Sequence, residues 1–173
     1  MTVVAMPGGG VLCWTENATA PGFELQCEQW LPRPVDDVFA FFGDAYNLER
    51  ITPDFLRFKV LRTTDRIVRS GTLIDYRLCL HGIPVRWRTR IDEWVPGVRF
   101  VDRQVKGPYK SWHHTHEFHS ERGGTRMRDI VRYELPLGAL GRLAAGAVVR
   151  RDVDKIFRHR QRQARAIFVD GTR

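Results

Sequence analysis

From residue 55 to residue 134 the sequence reads as one strand-like segment after another, and no other feature narrows the possible folds as far. The candidate strands are 55–61, 72–80, 83–94, 98–105, 111–120 and 125–134. Turn signals separate them: Arg69-Ser70-Gly71, His81-Gly82, Val95-Pro96-Gly97, Gly107-Pro108 and Gly123-Gly124. A run of hairpins makes an antiparallel sheet. Residues 139–169 then continue without proline, and Val149, Val153, Ile156, Ala164, Ile167 and Phe168 fall near one helical face. Arg150, Arg151, Arg158, Arg162 and Arg165 crowd the other. This predicts a terminal helix of about five or more turns at 3.6 residues per turn, with Gly141 and Gly146 marking a break near its start. One apolar-faced helix needs a surface to pack on, and a curved sheet supplies it.

Upstream, residues 23–30 alternate, with Phe23, Leu25 and Cys27 on one face and Glu24, Gln26 and Glu28 on the other, as in a half-buried strand. Pro32 and Pro34 end it, and Pro34 suits a helix start. Val35, Val38, Phe39, Phe41 and Phe42 follow at helical spacing, with Asp36 and Asp37 placed for the helix dipole. Gly43-Asp44 punctuates, and residues 45–51 read as a second short helix closed by Thr52-Pro53. The expected fold is α+β: about seven antiparallel strands curved around a long C-terminal helix, with two short helices after the first strand. Pro7, Gly8-Gly9-Gly10 and Pro21 make residues 1–21 a flexible leader ending in an edge segment, so the domain is placed at 22–170.

At 173 residues the chain suits one domain with its own core. No stretch approaches the roughly 20 apolar residues of a membrane span. Cys13, Cys27 and Cys79 are widely spaced and odd in number, which excludes a disulfide framework and a zinc pattern. With no basic-then-apolar N-terminal signal, the expected location is cytoplasmic. The formal charge is +8, from 24 Arg, 4 Lys and 20 acidic residues, and the basic excess lies beyond residue 58. No nucleic-acid motif, P-loop, dinucleotide fingerprint or nucleophile elbow accompanies it, so no nucleic-acid partner and no cofactor are expected.

Two segments carry a resemblance: Gly107 to Phe118 (GPYKSWHHTHEF), and Tyr133 to Gly138 (YELPLG) before the final helix. With the element order, they resemble the helix-grip fold of START-like, Bet v 1-like proteins, the SRPBCC superfamily. Within it they look like a bacterial polyketide cyclase/dehydrase-type branch. The resemblance implies a deep cavity between sheet and helix that takes an apolar or aromatic molecule. Related aromatase/cyclases use a pocket Arg, whereas most strand Arg here have outward parity.

Strand parity then selects the candidate site. Trp112, His114, His116 and Phe118 share one face of their strand, and Met127, Asp129, Val131 and Tyr133 share one face of the next. His114, His116, Asp129 and Tyr133 are the candidate catalytic residues: a neutral His takes a proton, an Asp orients it, and a Tyr donates to a developing enolate. Tyr76, Trp87, Phe100, Asp102, Gln104, Trp112 and Phe118 are the candidate ligand contacts. This chemistry suits aldol-type cyclisation and dehydration of a polyketone. A carrier or sensor of the same fold, whose buried polar groups merely satisfy one another, is the alternative. A metal enzyme using His114, His116 and Asp129 is a third, and no metal ligand is assigned. The sequence carries no signal of oligomeric state.

Overall fold

Two hairpins turn on pairs of left-handed residues. His81 and Gly82 have φ of 50° and 85°, and Arg122 and Gly123 have 54° and 72°. A two-residue turn between right-twisted strands demands that backbone. The computed structural model describes residues 2–5, 11–16 and 22–171. Its strands are β1 (Thr2–Ala5), β2 (Val11–Glu16), β3 (Phe23–Leu31), β4 (Lys59–Thr63), β5 (Leu73–Leu80), β6 (Ile83–Val95), β7 (Arg99–Lys106), β8 (Ser111–Glu121) and β9 (Gly124–Glu134). The helices are α1 (Val35–Gly43), α2 (Leu48–Ile51) and α3 (Gly138–Arg165). The strands form one antiparallel sheet in the order β1-β2-β3-β9-β8-β7-β6-β5-β4. The stretch carrying α1 and α2 takes the chain from β3 to β4 at the opposite edge of the sheet. This is the helix-grip arrangement expected from the sequence.

The packing stripe of α3 is Val153, Phe157, Gln161 and Ala164, continued by Phe168 in a wider terminal turn, Ala166–Asp170. The sequence reading placed Val153, Ala164 and Phe168 on this face and missed Phe157 and Gln161. Phe157 joins Leu25, Cys27, Val131 and Val153 in one part of the core. At the other end, Val38, Phe39 and Phe42 of α1 pack with Phe100, Phe118, Met127 and Phe168. The opposite face of the sheet is polar. There Asp75 receives Arg88 at 2.6 Å and Arg62 at 2.7 Å. The Arg88 bond holds the Asp75 carboxyl at about 2, with Arg62 adding to it against the upward push of burial.

One local difference from the sequence reading has a physical cause. Residues 55–61 do not form one strand. Pro53, with φ −59°, starts a tight turn over Asp54–Leu56 that ends at Arg57 with φ 44°, and β4 begins only at Lys59. Residues 1–21, expected to be a flexible leader, contain β1 and β2, and β2 pairs along the free edge of β3. The remaining positions of that stretch lie outside the described residues.

Gly124, read as part of a turn, is the first residue of β9. A Cβ there would lie 2.4 Å from the Leu31 carbonyl oxygen and 2.6 Å from the Trp30 ring, whose Nε1 donates to the Glu121 carbonyl. Gly124→Ala is expected to lower stability by about 1–3 kcal/mol, the cost of overpacking. Urea denaturation should show a lower midpoint at unchanged slope. An unchanged midpoint would contradict this close junction of β3 and β9.

Candidate functional site

The strand pattern that buries large residues on the concave face also sends four titratable groups there. His114 and His116 occupy alternate positions on β8. Asp102 of β7 stands opposite His114, and Asp129 of β9 stands opposite His116. The imidazoles are therefore flanked by a carboxylate on each side. His114 and His116 are each 3% exposed and Asp129 is 5% exposed, so none can rely on water for its charge.

The contacts are mutual. His114 Nε2 lies 2.9 Å from Asp129 Oδ1, and His116 Nε2 lies 3.2 Å from Asp102 Oδ2. The other ring nitrogens also approach carboxylates: His114 Nδ1 is 3.4 Å from Asp102, and His116 Nδ1 is 2.8 Å from Asp129. The last contact is out of line for a hydrogen bond and acts as a charge contact. The two rings lie 3.8 Å apart, and His116 stacks on Phe100 at 4.1 Å.

These surroundings drive the two histidines in opposite directions. Burial, reinforced by the nearby His116, lowers His114 to about 4, against the partial support of Asp129. Burial also opposes charge on His116, but the bond to Asp102 and the charge contact with Asp129 outweigh it and raise its pKa above the ordinary 6.5. Burial pushes both carboxyls up, yet the imidazoles hold Asp102 and Asp129 below the usual range. Near neutral pH these surroundings hold His114 toward its neutral form and bias His116 toward its cation, between two carboxylates. Such divergence between neighbouring groups is how acid and base roles become separated.

The cluster opens onto a cavity between the concave sheet face and α3. This cavity has a volume of about 150 Å³. Of the candidate site residues, Tyr76, Trp87, Phe100, Asp102, Trp112, His114 and His116 line it. Trp87 Nε1 donates to Thr89 Oγ1 at 3.0 Å, and the Tyr76 hydroxyl shares a hydrogen bond with the same Thr89 oxygen. This buried threonine fixes both aromatic side chains.

Four expected site residues lie elsewhere. Asp129 stands behind the imidazoles rather than in the cavity wall, holding His114 through Nε2. Tyr133 is four residues beyond Asp129 on β9, about 13 Å at 3.3 Å per residue, too far to join the cluster. Its ring packs among Phe23, Tyr109 and Trp112. Phe118 belongs to the α1 core, edge-on to Phe39 at 5.2 Å. Gln104 bonds Tyr109 instead, donating to its carbonyl oxygen at 2.7 Å and accepting from its N–H at 3.3 Å. A side chain in place of the Gly107 hydrogen would collide with that amide.

Sequence reasoning missed Arg160 and Tyr109. Arg160 comes from α3, and its guanidinium lies 5.3 Å from the centre of the Phe157 ring. The signal was present: Arg160 follows Phe157 by three residues and Ile156 by four, so it shares their face of the helix. Asp102, His114 and His116 also bring one ligand atom each within 4.8 Å of one another, a set that could take a divalent cation.

A family model described as polyketide cyclase / dehydrase and lipid transport matches residues 31–158. Solved structures share the fold. Protein TTHA0849 from Thermus thermophilus is 20% identical, with a TM-score of 0.65 over 87% of this chain and 99% of that one. The ginseng major latex-like protein 151 from Panax ginseng is 13% identical, with a TM-score of 0.64 over 87% of this chain and 99% of that one. The di-domain ARO/CYC StfQ of the steffimycin biosynthetic pathway is 17% identical, with a TM-score of 0.67 over 86% of this chain and 50% of that one. The comparison with curated proteins returned no match.

The protonation pattern sets a pH dependence. Between pH 6.5 and about 4 the unfolded chain binds a proton at His114 that the folded chain refuses. The stability this contributes is complete above pH 6.5 and is lost as pH falls through 4, on the order of 3 kcal/mol. His116 acts in the opposite direction: its contribution is complete below 6.5 and is lost as pH rises through its raised value. Urea denaturation from pH 7 to 4 is expected to show a steeper acid loss in the parent than in His114→Gln. Equal slopes would contradict a buried neutral His114.

Proposed function

We propose, since this chain belongs to the polyketide cyclase / dehydrase and lipid transport family, that its cavity binds an apolar or aromatic small molecule and moves protons on it. One observation carries the reading: two imidazoles, whose surroundings push their pKa values in opposite directions, stand side by side at the wall of a cavity lined mainly by apolar and aromatic side chains. The ligand-binding unit is residues 22–170. The free thiols of Cys27 and Cys79 suit a reducing cytoplasm, and no helix among the described residues is long and apolar enough to cross a membrane.

The chemistry follows from the protonation states. With Nε2–H held by Asp129, His114 presents the lone pair of Nδ1 as the base. It takes a proton from a carbon between two carbonyl groups, and the electron pair moves to oxygen as an enolate. The enolate carbon attacks a second carbonyl of the same chain, and a ring-closing C–C bond forms. His116 donates a proton to the alkoxide, giving a β-hydroxy ketone. In the dehydration the now neutral His116 takes the second proton from that carbon and the now protonated His114 gives its proton to the departing hydroxyl, which leaves as water, so both imidazoles return to their starting states. The Tyr76 hydroxyl lies in the same cavity, where burial and the Asp102 carboxylate raise its pKa and keep it a donor. Asp129 is a positioning residue, and Tyr133 supports the aromatic wall. Tyr76, Trp87, Phe100 and Trp112 provide flat surfaces for the ligand, and Asp102 holds His116.

A second reading, a non-catalytic carrier, is favoured by the cluster's self-sufficiency: each imidazole nitrogen already faces a carboxylate. Turnover separates the two. With an aromatic poly-β-ketone thioester as substrate, His114→Gln is expected to lower kcat by about 100-fold or more, the usual scale of general-base loss. Binding of the fluorescent probe 1-anilinonaphthalene-8-sulfonate should change by less than about threefold, or 0.7 kcal/mol. Probe binding without ring closure by the parent would leave the carrier reading standing. Equal turnover by parent and variant would remove His114 from the chemistry.

A further inference from the structure

The Nε and Nη2 atoms of Arg160 are buried and have no hydrogen-bond partner among the described residues. They form one edge of the guanidinium, the edge that meets a carboxylate side-on through two parallel N–H···O bonds. A buried guanidinium that leaves such an edge unused forfeits its strongest interactions. The nearby carboxylates are already engaged. Asp102 feels Arg160 as a charge, without a hydrogen bond or ion pair between them, and bonds His116, while Asp129 bonds His114. Arg160 is also the only Arg or Lys lining the cavity among the described residues.

Resting on the cavity-binding reading above, we propose that the ligand carries a carboxylate, bound side-on by Nε and Nη2 of Arg160, with its apolar or aromatic body against the cavity's aromatic wall. The geometry selects a planar two-oxygen group. A single two-donor edge pairs both oxygens of a carboxylate. A third oxygen of a sulfonate or phosphate would have no second Arg or Lys to meet. The Phe157 ring beneath the guanidinium limits its movement, and its apolar surroundings strengthen the ion pair. Arg160 lies outside residues 31–158, the part matched by the family model, so this subsite is read from the chain's own geometry.

Matched probes test it. Isothermal titration at pH 7.5 would compare 2-naphthoate, ionised at that pH, with its neutral counterpart 2-naphthalenemethanol. The parent should bind the acid about 10-fold or more tighter than the alcohol, the scale of one charge-assisted bidentate pair. Arg160→Gln should erase that preference while leaving alcohol affinity within about twofold. Equal affinities in the parent would overturn the carboxylate assignment while leaving the cavity reading intact, and this arm needs no variant. Persistence of the preference in a folded Arg160→Gln, checked by circular dichroism, would overturn the role of Arg160. Failure of both probes to bind the parent would overturn the cavity reading and this proposal together.

Discussion

Two carboxylates and two imidazoles buried together set the terms for the rest of this structure. Removing such groups from water costs several kcal/mol per ion unless charges and hydrogen bonds are matched inside. The sheet meets that condition by register. Asp102 and Asp129 reach the same layer as His114 and His116 because β7, β8 and β9 are neighbours with those residues directly opposed. A slip of one residue in β8 would turn both histidines to the polar face and leave both aspartates unpaired. The turn at Arg122-Gly123 and the close junction at Gly124 guard against that slip.

The helix makes burial of the cluster possible. Phe157 lies edge-on to His114 at 5.4 Å and packs into the core with Val131 and Val153. Helix α3 thus covers the cluster and also borders the cavity. It adds one cation, Arg160, to a wall otherwise supplied mainly by the strands. The cavity wall and the packed core therefore share one helix. The aromatic residues divide in a similar way: Phe39 and Phe118 fill the end under α1, Tyr76, Trp87 and Trp112 face the cavity, and Phe42 belongs to both.

Most of the architecture was legible because each periodicity had one structural meaning. Alternation marked β5, β6, β8 and β9 almost to the residue, and their parity sent His114, His116 and Asp129 inward. Parity fixes only which face a residue occupies. It could not separate cavity wall from filled core, so Phe118 and Tyr133 were placed at the site although they pack as core. Nor could it show that Gln104 would spend its amide on the loop at Tyr109. Strand parity points the strand Arg side chains outward and carries no information about a helix. Arg160 sat on a helix whose arginines had been treated as an outer face, although its spacing from Phe157 already placed it within.

The central claim is that the two histidines hold different protonation states inside one cluster. Long-range ¹H–¹⁵N correlation of the imidazole nitrogens at pH 7 reads those states directly. The account expects His116 to show both nitrogens protonated. His114 should show one protonated nitrogen, Nε2, and one bare nitrogen, Nδ1. Two imidazoles in the same state, both neutral or both cationic, would contradict the division into acid and base on which the proposed chemistry stands.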